Sequence, residues 1–93
     1  QAWIRDMIAM MAWIRKDKTW REAFVQVSVA PDGDVILIPR EGKERFLFGP
    51  PDHCAERFDK IGKYYEYILP ARGAGYYKTV NVKYDRQIIC RQQ

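Results

Sequence analysis

The apolar residues in the second half of this chain change period partway along, and that change limits what it can fold into. Cys54, Phe58, Ile61, Tyr65 and Ile68 recur at the spacing of one helix face. Leu69-Pro70 closes that run and Gly73-Ala74-Gly75 makes a loop. From Tyr76 to Tyr84 the pattern alternates, with Tyr76, Val80, Val82 and Tyr84 on one side and Tyr77, Thr79, Asn81 and Lys83 on the other. After Asp85-Arg86-Gln87 a last short strand runs from Ile88 to Arg91. Lying so near the end of the sequence, that strand belongs at a sheet edge, where unpaired backbone groups invite an extended partner.

The first half follows the same logic. Ile4, Met7, Ile8, Met11 and Ile14 keep helical spacing, widened by Trp3, Met10 and Trp13. Val25, Val27 and Val29 alternate with Phe24, Gln26 and Ser28, and Pro31-Asp32-Gly33 is a turn before the apolar run Val35 to Ile38. Pro39 closes that strand, Glu41-Gly42-Lys43 turns the chain again, and Phe46 and Phe48 share a face of the next strand. Gly49-Pro50-Pro51-Asp52 leads into the second helix, where Glu56 with Lys60 and Asp59 with Lys63 form exposed i, i+4 pairs. Gly62 lies inside that helix and suggests close packing against a neighbour. The spacing predicts helices near 2–16 and 52–69, and strands near 23–30, 34–39, 44–48, 76–84 and 87–91. The expected fold is one α+β domain over residues 1–93: a five-stranded, mostly antiparallel sheet with two helices packed on one face.

Size and charge are consistent with this. A 93-residue domain buries roughly 60–65% of its unfolded surface, and 47% hydrophobic residues argue against disorder. Sixteen Lys and Arg against twelve Asp and Glu leave a net charge of +4. Arg15, Lys16, Lys18 and Arg21 cluster most tightly, and the other cations alternate with acids, unlike the concentrated basic face of a nucleic-acid binder. No apolar run is long enough to cross a bilayer. The sequence begins at Gln1 inside a helical pattern, as expected of a fragment of a longer protein.

Catalytic constellations are not legible. His53 and Cys54 are neighbours on a helix and point apart, so a Cys–His dyad is not expected. Asp32 and Asp34 flank Gly33 as turn residues without the remaining ligands of a calcium loop. Gly73 and Gly75 follow a helix and precede a strand, the reverse of a phosphate cradle. No cofactor or metal is expected. Cys54 and Cys90 have no metal-ligand spacing, and a disulfide between them stays open. A second reading is an RNA-binding or other small recognition domain using Tyr76, Tyr77 and Phe46 on an aromatic sheet face.

Phe58-Asp59-Lys60-Ile61, Leu69-Pro70, Gly73 with Gly75, and Val82-Lys83-Tyr84-Asp85, in that order, resemble the C-terminal extracytoplasmic domain of the cell-division family FtsQ/DivIB. Lys16-Asp17-Lys18-Thr19-Trp20 and Leu37-Ile38-Pro39-Arg40 look like further landmarks of the family. The resemblance implies a non-enzymatic scaffold of the division septum that binds FtsB- and FtsL-like proteins and helps recruit the septal peptidoglycan synthesis machinery. It also implies a whole protein anchored in the inner membrane by one N-terminal helix, with this domain in the periplasm and no nucleic-acid partner. Carried over by motif, the partner-binding positions are Lys83, Tyr84 and the strand residues Ile88, Ile89, Cys90 and Arg91, to which Arg86 is added for the charge it supplies at the edge. The tail departs from the family pattern in having Asp85-Arg86-Gln87 and no tryptophan beyond it.

Overall fold

Pro31-Asp32-Gly33 makes the first turn of the sheet. Gly33 takes φ 92°, a conformation that costs other residues, and its N–H donates to the Ala30 carbonyl at 2.9 Å. The Asp32 carboxylate accepts the Asp34 N–H at 2.9 Å. This turn joins β1 (Phe24–Val29) to β2 (Val35–Pro39), and a second joins β2 to β3 (Arg45–Gly49), all antiparallel. The chain then crosses through the helix layer, as a parallel connection requires, and β4 (Thr79–Asn81) returns parallel to β3. Strand β5 (Ile89–Arg91) pairs antiparallel with β4, giving the order β1-β2-β3-β4-β5. The computed structural model describes every residue from Gln1 to Gln93 and bears out the expected five-stranded, mostly antiparallel α+β fold.

One face of the sheet is covered. Met10 and Ile14 of α1 (Ala2–Lys16), with Phe58 and Ile61 of α3 (Cys54–Lys63) and Tyr64 just beyond it, share a core with Phe24, Val35, Leu37, Phe46, Phe48 and Val80. Phe58 is its centre, with its ring centroid 5.1 Å from Trp20 and 5.0 Å from Phe48. Ser28, Ile36, Leu47, Asn81 and Ile89 run in register across the sheet's other face and are only half-buried.

Several local expectations give way to long-range contacts. Ile4 and Ile8 are exposed, while Trp3, Met7, Met10 and Ile14 turn inward. The first helix is apolar almost all round, and the Trp3 indole N–H bonded to the Gly33 carbonyl at 2.9 Å sets its rotation. A short helix α2 (Lys18–Ala23) follows where none was expected, its first turn capped by the Asp17 carboxylate on the Thr19 N–H at 2.8 Å. A bulge between Phe24 and Gln26 moves Phe24 onto the face of Val27 and leaves Val25 exposed.

Pro70 does not stop the second helix. After α3 the helix loosens into a π-helical turn (Tyr64–Ile68), in which the Leu69 N–H reaches back to the Tyr64 carbonyl. Pro70 therefore enters at the first turn of α4 (Leu69–Arg72), where its missing N–H is harmless. Gly73, at φ 94°, ends the helix instead. The strands expected over 76–84 and 87–91 shrink to three residues each. The Asn81 side chain accepts the Lys83 N–H at 2.8 Å and turns the backbone out of the ladder.

Candidate partner-binding edge

Strand β5 has a neighbour on one side only, so the expected edge position holds. Ile88, Ile89 and Cys90 are half-buried and Arg91 is exposed. Lys83, Tyr84 and Arg86 do not lie in a strand. They belong to the loop that carries β4 into β5, with Arg86 in the left-handed region at φ 57°.

That loop is held from the helix side by two buried cations: Arg57, which the sequence pattern passed over, and Lys60, which it placed in an exposed pair. The Arg57 guanidinium donates to the Lys83 carbonyl at 3.3 Å, and also to the Pro50 carbonyl at 2.6 Å and the Asp52 carboxylate at 2.8 Å. The Lys60 ammonium donates to the Tyr84 carbonyl at 2.5 Å. Its carboxylate neighbour Glu56 is 4.0 Å away, so the expected exposed ion pair is subordinate to a buried contact with the loop. Burial, chiefly, lowers the Lys60 pKa. Two cations sunk in a helix face carry a desolvation cost that main-chain acceptors only partly offset. What the arrangement secures is the backbone of the Lys83-Tyr84 pair. The available signal was the position of Arg57 and Lys60 on the inward half of the helix, next to Phe58 and Ile61.

The Lys83 side chain is engaged within the domain. Its ammonium meets the Asp34 carboxylate at 2.6 Å, and this bond raises its pKa. Its stem crosses Gly49, where an added Cβ would lie 2.7 Å from Lys83 Cγ. The Tyr84 ring is half-exposed, 5.9 Å from the same ammonium.

Two hollows on the helix side meet at Ile88, the residue before β5, and one of them runs along the strand to Cys90. One, of about 420 Å³, is lined mostly by apolar residues: Tyr67, Ile68, Ala71, Tyr77, Ile88 and Cys90, with Arg72. The other, of about 340 Å³, is charged and contains Lys60, Lys63 and Arg86 beside Glu56 and Asp59. The π-helical turn carries Tyr67 at the apolar hollow with 66% of its surface exposed. Such turns recur at functional sites.

The remaining candidates are placed as follows. Cys54 and Cys90 are free thiols, both with pKa values raised by burial. His53 is exposed and precedes α3 in a left-handed conformation, outside the helical turn expected for it. Phe46 is wholly buried, and Tyr76 and Tyr77 lie in the loop before β4, so these three rings do not form a shared stacking surface. No group of His, Cys, Asp and Glu is arranged to hold a metal.

The sequence matches a family model described as FtsQ/DivIB, C-terminal related, over residues 1–91, and the chain belongs to that family. No curated protein and no solved structure matches it.

Proposed function

For this cell-division domain of the FtsQ/DivIB C-terminal related family, we propose a non-catalytic role as a septum scaffold that takes up a partner strand along β5. The observation that carries this reading is the free edge of β5, a three-residue strand with an apolar hollow beside Cys90 on its helix side and a charged hollow at Ile88, just before it. An added strand bonds main chain to main chain and sets alternate side chains on the two sheet faces. Side chains on the helix side meet the apolar hollow at one end and the Lys60, Lys63 and Arg86 hollow at the other. The partner is an FtsB-like division protein with an extended segment of apolar and acidic residues, acting with an FtsL-like protein and the septal peptidoglycan synthesis machinery. The domain works outside the inner membrane, on a whole protein anchored by one N-terminal helix. No helix of this chain is itself long and apolar enough to cross a membrane.

Proline scanning of β5 tests the edge. Backbone N–H groups of successive strand residues point to opposite sides, so of Ile89→Pro and Cys90→Pro one removes an outward donor. That variant is expected to lose binding to the C-terminal segment of the cognate FtsB-like protein, measured by calorimetry, while its helical circular dichroism is retained. Full affinity in both variants would rule out β5 as the docking edge.

A further inference from the structure

On the β1 side of α3 lies a second and larger groove, of about 720 Å³, between α3 and the corner where α1 meets α2. Trp13, Trp20, Phe58 and Tyr65 line it, and Gly62 contributes to its floor. A smaller hollow shares Trp13 and Trp20 and is bounded by Lys16, Asp17 and Lys18.

Gly62 is not explained by the fold of the domain. It lies within α3 with no left-handed backbone, and a Cβ built on it would meet only Trp20, at 3.9 Å, an ordinary contact. The close packing that a mid-helix glycine suggests is therefore absent inside the molecule. Alanine would fit and would favour the helix. What the glycine does provide is bare backbone at the groove floor, where another chain can come close.

Charge identifies that chain. Arg15, Lys16 and Lys18 are exposed and take part in none of the four ion pairs of the domain. The Asp17 carboxylate between them offsets one of these three charges while accepting the Thr19 N–H. On the opposite wall Lys63 and Asp59 pair with each other at 3.1 Å and the exposed Glu66 is in no ion pair, so an acidic flank can face only the lip. Three cations against one carboxylate leave the lip beside the two tryptophans with a net positive charge. A second copy of this chain would bring the same lip, and like charges oppose that pairing.

We infer that this groove seats an amphipathic helix of a partner polypeptide, with small or apolar side chains over Gly62 and acidic side chains along the flank facing Lys16 and Lys18. The groove adjoins the hollows beside β5, sharing Asp59 and Lys63 with one and Tyr67 with the other, but it contains neither Ile88 nor Cys90.

The probe is a synthetic helix of Leu, Ala and Glu with its glutamates along one flank, titrated into the isotopically labelled domain. Amide and indole signals are followed by NMR. Shifts are expected at Trp13, Trp20 and Gly62, with a Kd on the order of 10–100 µM, as suits a small interface. Charge reversal in K16E/K18E should weaken the probe by roughly tenfold, and Gly62→Leu should abolish binding by filling the floor. Gly62→Ala should raise Tm, which separates a binding role for the glycine from a folding one. The β5 proline variants should bind the probe unchanged, so failure at one surface is distinguishable from failure at the other. Absence of shifts at about 1 mM probe, equal binding of a lysine-flanked helix, or a lower Tm for Gly62→Ala would overturn the inference. So would shifts at the two tryptophans produced by phosphatidylglycerol vesicles and not by the helix, which would make the surface a lipid contact.

Discussion

The β1–β2–β3 half of the sheet and the β4–β5 end are held together by different forces. In the first, strands of five or six residues pair along their length, and Leu37, Phe46 and Phe48 are wholly buried beneath the helices. In the second, three-residue strands make few ladder bonds, and Arg57 and Lys60 supply part of the restraint by bonding to the carbonyls of the loop between them. The meander is secured by apolar burial, which is non-directional and accumulates with area. The edge is secured by a few directional, charge-assisted bonds, which fix a backbone in place without covering it. A docking edge needs that second kind of support, since burying it would remove it from reach.

The contrast can be broken from the meander side first. Phe58→Ala removes the ring around which Trp20, Phe24 and Phe48 gather, and a loss of about 3–5 kcal/mol is expected in urea denaturation. That approaches the whole stability of a small domain. An unchanged midpoint would show that the core is not centred there.

Arg57→Ala addresses the edge. It strips bonds from the Lys83 and Pro50 carbonyls and the Asp52 carboxylate, and should cost about 1.5–3 kcal/mol, the range for bonds to a charged group. The informative readout is hydrogen exchange. Faster exchange concentrated in residues 82–91, with β1 and β2 still protected, is the expected signature. Uniform acceleration would mean that the two regions unfold as one unit.

Tyr64→Phe probes the junction between the halves. Tyr64 donates its hydroxyl to the buried Glu44 carboxylate at 2.6 Å, and the other oxygen of that carboxylate has no partner. Burial, first, and this bond raise the Tyr64 pKa well above that of a free phenol. Losing the donor leaves a buried acceptor unpaired and should cost about 1–3 kcal/mol. Glu44→Gln in the same background is expected to recover part of that loss.

The smallest effect serves as a control. Asp59→Ala deletes an exposed i, i+4 pair with Lys63 and should cost only about 0.2–0.5 kcal/mol, diminishing as salt is added. A larger cost, independent of salt, would give Asp59 a role beyond that pair.

By itself the sequence determined the order of the strands and of the two long helical segments, the first turn at Pro31-Asp32-Gly33, and the shared face of Phe46 and Phe48. Each depends on residues adjacent or a few positions apart, where periodicity and turn chemistry act without the rest of the fold. The tertiary structure alone decided which face of an almost uniformly apolar α1 turns inward, because Trp3 reaches Gly33 thirty residues away. It also decided the bulge that moves Phe24, the passage of the helix through Pro70, and the use of Arg57 and Lys60 as clamps on the β4–β5 loop. Local pattern counts a lysine or arginine as a surface residue. Whether its charge is instead buried depends on acceptors brought in from another part of the chain, here the carbonyls of Lys83 and Tyr84.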